Sequence, residues 1–490
     1  MGIRRPDEAT VTDHDPSTTV AWSVDGRTFR CRGPLGGSPP LGEYVRIEPP
    51  EGEARIGQVL QLDVVDAGDR RLVSAGGDLV DRVHSPASFD GATLARAGDD
   101  DLRRTLSTAT GGLEVGSLRD RDDVAASLVA SGFNRHTFLC GQSGSGKTYS
   151  LGVLLERLML ETTLPLLVLD PNGDHVHLGE VAPGVDDDLA ARYRAAAADV
   201  LVLSSQPDSD HEPLQIRLAE LGRQGMAAML ELDPVTDRHE YNQLLHLVEE
   251  QSHTWHKLTD VVASMRDDAD SGSDLALRTE NLGLLQMQIW AGSDGTTVHQ
   301  HWTGRAPRAL IADSSGLPER RERLAVAVSV LQGAWARRRE REPFLLVVDE
   351  AHDVCPAVPR DPLERQAVEL FTRIAGEGRK YGIHLLLSTQ RPDKLPDNVL
   401  SQCDNLLLMR VNSAGDRAAL AERFSFAPTG LVDMVGSFGL GEALLAGRVA
   451  SPPVLARIGT RITPEGGGDV PTDWAHGGPG GVVGDGPGAS

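Results

Sequence analysis

HTFLCGQSGSGKTYSLGVLLERLML, from His136 to Leu160, decides the fold. Its first five residues have the length and apolar content of a buried strand, and its last twelve carry apolar residues at helical spacing. Between them GQSGSGKT, Gly141 to Thr148, fits the pattern GxxxxGK[ST]. Glycines let successive backbone N–H groups turn inward around an anion, and the helix that follows offers its positive N-terminus. In such a cradle Lys147 reaches the β- and γ-phosphates of a nucleotide and the Thr148 hydroxyl ligates Mg²⁺. Gly141, Ser143, Gly144, Ser145, Gly146, Lys147, Thr148 and Tyr149 are the candidate nucleotide-binding residues. A dinucleotide fingerprint fits poorly, because GSGKTY lacks the last glycine of GxGxxG.

Outward from this loop the chain alternates strands and helices. LPLLVLD (164–170), DVLVLSS (199–205), RALIADSSG (308–316), FLLVVDE (344–350), IHLLLST (383–389) and NLLLMRV (405–411) are nearly continuous apolar runs. Such runs read as strands of a parallel sheet covered on both faces. Helical patterns dominate from about 217 to 300. Upstream, TVAWSV, TFRCRG, EYVRIEP, IGQVLQLDVV and RLVSAGGDLV are short strands parted by Gly, Pro and acidic clusters, the pattern of a small all-β barrel. The expected division is an N-terminal tail (1–17), a barrel (18–97), a linker (98–116), an α/β core (117–460) and a C-terminal segment (461–490) ending in the Gly/Pro-rich GGPGGVVGDGPGAS.

FLLVVDEAH, Phe344 to His352, supplies the acidic half of a phosphate site. Its strand carries Asp349 to the carboxyl end of the sheet, where a carboxylate holds Mg²⁺, partly through water. Glu350 stands next to it, placed to orient or deprotonate an attacking water. Two adjacent acids favour NTP hydrolysis over transfer to a small acceptor. With Lys147 and Asp349 standing 202 positions apart, the chain reads as an elaborated motor-type ATPase and not a compact kinase.

Composition narrows the class. The 490 residues carry a net charge of −23, which argues against coating nucleic acid by bulk charge but not against a locally basic channel. Four scattered cysteines, Cys31, Cys140, Cys355 and Cys403, give neither a disulfide framework nor a zinc spacing. No apolar run reaches the roughly 18–20 residues of a membrane span, and MGIRRPDEATVTDHD has no signal-peptide core. A cytoplasmic protein with no membrane contact is expected. His175, His177 and His211 lack ligand spacing, and the arginine-rich blocks around Arg320 and Arg338 read first as solvated helix faces.

Taken in order, these pieces resemble the HerA branch of the HerA–FtsK ATPases, hexameric motors that translocate double-stranded DNA. HTFLCGQSGSGKT resembles that branch's Walker A strand and loop, and FLLVVDEAH its Walker B segment. LLVLDPNGDH is similar to its DPHGEY-type segment, with Asn172 for His and Asp174 for Glu. LIADSSGLPERRER, GRKYGIHLLLSTQRP and FGLGEALLAG resemble its strand before a long helix, its finger-and-sensor block and its closing hairpin. The N-terminal strands resemble its HAS-barrel. The resemblance implies an α/β, RecA-like P-loop NTPase with a mostly parallel sheet and helical insertion behind a small β-barrel. It implies ATP and Mg²⁺ as cofactors, a homohexamer on double-stranded DNA, and a nuclease or defence effector as partner, in DNA-end processing or phage defence.

The resemblance also assigns roles. In ring ATPases a neighbouring subunit inserts a cation at the γ-phosphate; Arg379 is the candidate finger, with Lys380 assisting and Arg410 as a secondary candidate. Gln390, ending the strand beside Asp349 and Glu350, resembles a sensor amide for the γ-phosphate or the lytic water. Asp170 supports the nucleotide edge or forms a turn. RITPEGGGDVPTDWA (461–475) resembles a C-terminal brace near a neighbour's nucleotide. The rival reading is an ATPase ring that moves a protein and not DNA; a nucleotide-sensing scaffold with little turnover fits less well, since Glu350 is intact.

Overall fold

The structure is a computed structural model and describes residues 19–466 apart from 68–69, 82–85, 107–111, 207–208, 252–257, 268–271, 293 and 304–305. The expected N-terminal tail and the chain beyond 466 lie outside the described residues.

Six strands close the N-terminal barrel: β1 (Val20–Ser23), β2 (Thr28–Pro34), β3 (Tyr44–Glu48), β4 (Arg55–Ala67), β5 (Arg70–Leu79) and β6 (Phe89–Arg96). They run β1-β2-β5-β4-β3-β6, and β6 returns antiparallel to β1. The alternation of TFRCRG places Phe29 and Cys31 inward, beside Val45, Ile47 and Val59. Phe29 fills this small interior so tightly that a Cβ on Gly57 would meet its ring at 2.6 Å. The strand β6 is absent from the expected pattern because FDGATLAR buries a single residue fully.

The stretch expected as a linker is structured at both ends. A helix, α1 (Asp99–Leu106), begins it, and β7 (Gly112–Leu118) ends it. Three aspartates in the first turn of α1 suit the positive end of a helix. β7 joins the main sheet because it pairs with the last strand of the core and with β8 (Arg121–Val129).

The core follows as β9 (His136–Cys140), α2 (Lys147–Glu161), β10 (Leu166–Asp170), α3 (Asp187–Ala196), β11 (Val200–Ser204) and the two-residue β12 (Glu212–Pro213). A helical block comes next, with α4 (Gly222–Met229), α5 (Arg238–Gln251), α6 (Leu258–Asp267), α7 (Gly272–Asn281) and α8 (Val298–Trp302). Then come β13 (Ala309–Asp313), α9 (Arg320–Ala336), β14 (Phe344–Val348), α10 (Pro362–Glu377), β15 (Ile383–Thr389) and α11 (Asp397–Leu400). The last elements are β16 (Cys403–Leu408), α12 (Ala414–Arg423), α13 (Thr429–Met434), β17 (Glu442–Gly447) and β18 (Val454–Ile458).

The sheet order is β12-β11-β13-β10-β14-β15-β9-β16-β17-β18-β7-β8. It is parallel from β12 to β16 and antiparallel beyond. Both faces of the parallel part are covered, which explains the unbroken apolar runs. Along β14, Leu345 and Val347 join the core on the α2 side, while Leu346 and Val348 join the core of α4, α9 and α10. Through β4 and the first residue of β3, the barrel rests on the β17–β18 connection, where Tyr44 and Gln58 both donate to the Pro453 carbonyl at 3.3 and 3.0 Å.

Candidate functional site

Parallel strands bring their carboxyl ends to one edge of the sheet. Here β15 lies between β9, which carries the phosphate loop, and β14, which carries Asp349 and Glu350. Three neighbouring strand ends therefore converge.

The loop has the backbone its glycines allow. Gly144 and Gly146 have φ of +72° and +87°, a region other residues rarely adopt. Neighbouring segments fix the loop from outside. Gln142 N–H donates to the Arg410 carbonyl at 3.0 Å, and the Arg410 guanidinium donates to the Gly144 carbonyl at 2.9 Å. Gly441 N–H, in the turn before β17, donates to the Ser145 carbonyl at 3.1 Å. Ser143 and Gly144 lie exposed at the tip, Ser145 is buried, and Gly141 packs against Met409.

Lys147 is buried at the start of α2 and holds a dense set of partners. Its Nζ lies 2.7 Å from Asp349 Oδ1, 3.1 Å from Glu350 Oε1 and 3.0 Å from Ser388 Oγ. Ser388 Oγ donates to Asp349 Oδ1 at 2.7 Å, and Gln390 Nε2 donates to Glu350 Oε1 at 2.7 Å. Burial works against the Lys147 ammonium, but Asp349 and Glu350 outweigh it and raise its pKa. For Glu350 burial is likewise the largest single influence and pushes the pKa up. His352, Lys147 and Gln390 together overcome it and hold the carboxyl down at about 2. Glu350 also sits at φ 43°, ψ 48°, an uncommon conformation for a non-glycine residue and one found at sites of stored strain.

Asp349 has a fully buried side chain whose second oxygen, Oδ2, accepts no hydrogen bond among the described residues. That is a donor atom of the hard, charged kind that Mg²⁺ takes. Thr148 follows Lys147 at the helix start, so the residues present fit the ion. His175 faces the same oxygen with Nε2 at 4.0 Å; its ring is wholly buried and neither nitrogen has a hydrogen-bond partner among the described residues.

Asp170 settles as a turn former. Its Oδ1 accepts from the N–H groups of Asn172, Gly173 and Asp174 at 3.2, 2.9 and 3.2 Å, and its Oδ2 from that of His175 at 2.8 Å. Burial, only partly offset by these bonds, leaves its pKa raised to about 6. Burial first, then Asp170, raises that of Asp174 too.

The structure separates other expected residues from this edge. Arg379 precedes β15, at the opposite end of the strands, and donates to Asp404 at 2.7 Å; Lys380 beside it is exposed. Tyr149 turns away from the loop, and its hydroxyl accepts from the Arg461 N–H at 2.8 Å. The brace expected near a neighbour's nucleotide lies, in residues 461–466, on this chain's own α2. Glu156, wholly buried on α2, accepts from the N–H groups of Ile462 and Thr463 at 2.8 Å each. Arg461 Nε stands 3.4 Å from the same carboxylate, and Gly466 N–H donates to the Asp174 carbonyl at 3.2 Å. His177 pairs with Glu180 at 2.9 Å. All four cysteines are buried free thiols, and among the described residues no helix is long and apolar enough to cross a membrane.

The sequence does not single out Ser388 or Glu156, and it offers His175 only as a histidine without ligand spacing. A serine directly after three strand leucines was the one available signal for Ser388.

A phosphate loop, two acids on an adjoining strand end and an intervening strand with a polar tip define a P-loop ATPase. Comparison with known proteins narrows the class. Residues 113–327 match the family "Helicase HerA, central domain". The DNA double-strand break repair helicase HerA of Pyrococcus furiosus is 22% identical over 413 residues, 75% of this chain and 73% of that one. A probable helicase of Methanocaldococcus jannaschii is 24% identical over 397 residues, 75% and 70% of the two chains. The structure of VirB4 of Thermoanaerobacter pseudethanolicus superposes with a TM-score of 0.50 at 16% identity, covering 72% of this chain and 98% of that one. Over residues 113–327 the chain is thus similar to the central domain of HerA helicases, and its fold is that of a P-loop ATPase.

Proposed function

We propose that the chain is a motor that couples ATP hydrolysis to movement along double-stranded DNA, working in the cytoplasm as a homohexameric ring that feeds a nuclease or a defence effector. The observation that carries the enzymatic part is the Lys147, Asp349, Glu350, Ser388 and Gln390 web on three adjacent elements of one sheet edge. The DNA part draws on the relatives named for DNA break repair.

In this reading the loop N–H groups and Lys147 hold the β- and γ-phosphates. Thr148 and Asp349 would hold Mg²⁺, which when bound neutralises charge on the phosphoryl oxygens. Glu350, ionised at neutral pH, orients the attacking water and accepts its proton. Its low basicity reflects the His352 hydrogen bond first and then the nearby Lys147, and a phosphate that draws Lys147 away makes Glu350 a stronger base. Gln390 fixes Glu350 and senses whether the water is in place. Arg379 acts on the cradle of a neighbour, presented from the far edge of the sheet, where Asp404 now holds it.

The test measures ATP turnover with and without duplex DNA, with particle mass taken on the same sample. Turnover stimulated by DNA in a ring of six supports the proposal. Glu350→Gln should keep ATP bound and abolish turnover. Unstimulated turnover, with no DNA binding at low salt, would favour a protein cargo.

A further inference from the structure

On the helical face of the sheet, α4, α9 and α10 border an open pocket of about 310 Å³, large enough for about ten waters at ~30 Å³ each, with Arg223, Gln224 and Arg373 exposed at its rim. Its polar lining is Arg223 and Gln224 at the start of α4, Gln332 on α9, and Gln366 and Arg373 on α10. Every one of these side chains brings N–H donors, and no carboxylate lines the pocket. Gln366 is only 7% exposed, and the exposed part includes its amide, which opens to the pocket and has no hydrogen-bond partner among the described residues. No side chain caps the start of α4, so the positive end of that helix adds to the same field.

The surroundings are cationic too. Arg373 lies over the Trp335 ring at 5.8 Å, and Arg338 covers that indole at 4.7 Å. Among the described residues no carboxylate comes within 4.0 Å of Arg223, Arg338 or Arg373; Glu369 and Glu377, a turn away from Arg373 on α10, form no ion pair with it. In contrast Arg320, Arg321 and Arg337 of the same arginine-rich blocks are tied to Glu364, Glu231, Glu340 and Glu342. The sequence carries a net charge of −23, so three uncompensated guanidinium groups beside a donor-lined hollow form a local exception.

We propose that this pocket is a phosphate-binding site and that its ligand is the phosphodiester backbone of DNA. The forked donors of arginine suit phosphate oxygens, and such contacts fix position without reading sequence. The pocket lies apart from the ATP cradle and shares no residue with it. The DNA source rests on the motor reading above; the phosphate site itself does not.

The test compares the full chain with an Arg223→Gln/Arg373→Gln variant, binding a labelled duplex at rising salt. Two lost phosphate contacts lower the salt slope by about 1.8, so the variant should lose roughly twelvefold less affinity than wild type between about 50 and 200 mM salt. ATP binding and DNA-free turnover should not change, because neither arginine touches the cradle. An unchanged slope, in a variant with normal circular dichroism, overturns the DNA assignment. A second arm uses inorganic pyrophosphate in a Lys147→Ala background, where the cradle is disabled. A thermal shift that disappears with the two arginines supports the pocket with a free phosphate as its source, even if duplex DNA does not bind. If the arginines alter neither the salt slope nor the pyrophosphate shift, the site does not exist.

Discussion

Replacing Glu156 by Ala should release the C-terminal segment from α2, and the structure fixes how far. Glu156 is wholly buried and accepts from three donors, the N–H groups of Ile462 and Thr463 and the Thr463 hydroxyl at 2.7 Å, and it forms an ion pair with Arg461, whose Nε lies 3.4 Å away and donates to Thr463 Oγ1. Alanine leaves a buried guanidinium without its counter-charge, a loss typically of about 3–5 kcal/mol. The segment 461–466 is held by few other bonds, so it opens locally before the sheet does. At ~1.4 kcal/mol per factor of ten, amide exchange at Ile462 and Thr463 should accelerate by roughly 140-fold to 3,700-fold. Amides of β9 and β14 should keep their rates. Glu156→Gln should recover little of the protection, because either orientation of its amide puts an N–H₂ against a backbone N–H. Hydrogen exchange read by mass spectrometry resolves the segment. Unchanged exchange at both amides in Glu156→Ala would show that other contacts hold the segment and would refute the reasoning.

Ser388→Ala removes a hydroxyl that bridges Lys147 and Asp349; bonds to charged groups are worth about 1.5–3 kcal/mol, so turnover should fall about tenfold or more while ATP affinity changes little. His136 is buried between β15 and α10, accepting from Leu385 N–H and donating to the Ala375 carbonyl, and burial, then Arg379, holds its pKa down at about 3. The unfolded chain takes up that proton near pH 6.5, so the stabilisation is complete above that pH and drains away as pH falls toward 3; His136→Gln should flatten the slope of stability against pH by up to about 1.4 kcal/mol per unit. Arg379→Ala and Lys147→Ala rings should each be nearly inactive, yet regain ATPase on mixing if Arg379 serves a neighbour; proven subunit exchange without recovery rules that out.

Local chemistry was legible in the sequence where one short stretch carried it. The glycines of GQSGSGKT demand their own backbone, and six apolar runs demand a sheet buried on both faces. What stayed hidden joins residues far apart along the chain. Ser388 matters because β15 slots between β9 and β14, an order that no single strand reveals. Glu156 looks like an ordinary helical glutamate until residues from beyond β18 return to it. Tyr149 follows the loop in sequence but points to Arg461, because helical geometry turns successive side chains about 100° apart. β6 escaped because a strand with one fully buried residue lacks the alternation by which strands are read.

The arrangement around Lys147 explains why both acids are needed together with a polar third strand. A buried ammonium costs several kcal/mol unless paired, of order the penalty estimated for any buried ion. Asp349 and Glu350 supply that pairing, and Ser388 supplies a neutral third partner. A phosphate reaching Lys147 must therefore displace carboxylates, and displacement changes each of them differently. Asp349 keeps Ser388 and the Glu350 N–H on its Oδ1, so it stays fixed with Oδ2 open. Glu350 keeps Gln390 and His352 but loses a cation, so its basicity rises. One exchange of partners at Lys147 thus leaves an anchored acid suited to hold an ion and a freed acid suited to take a proton. Gln390, donating to the freed one from the end of β15, is the group that would carry that change into the strand whose other end meets Arg379.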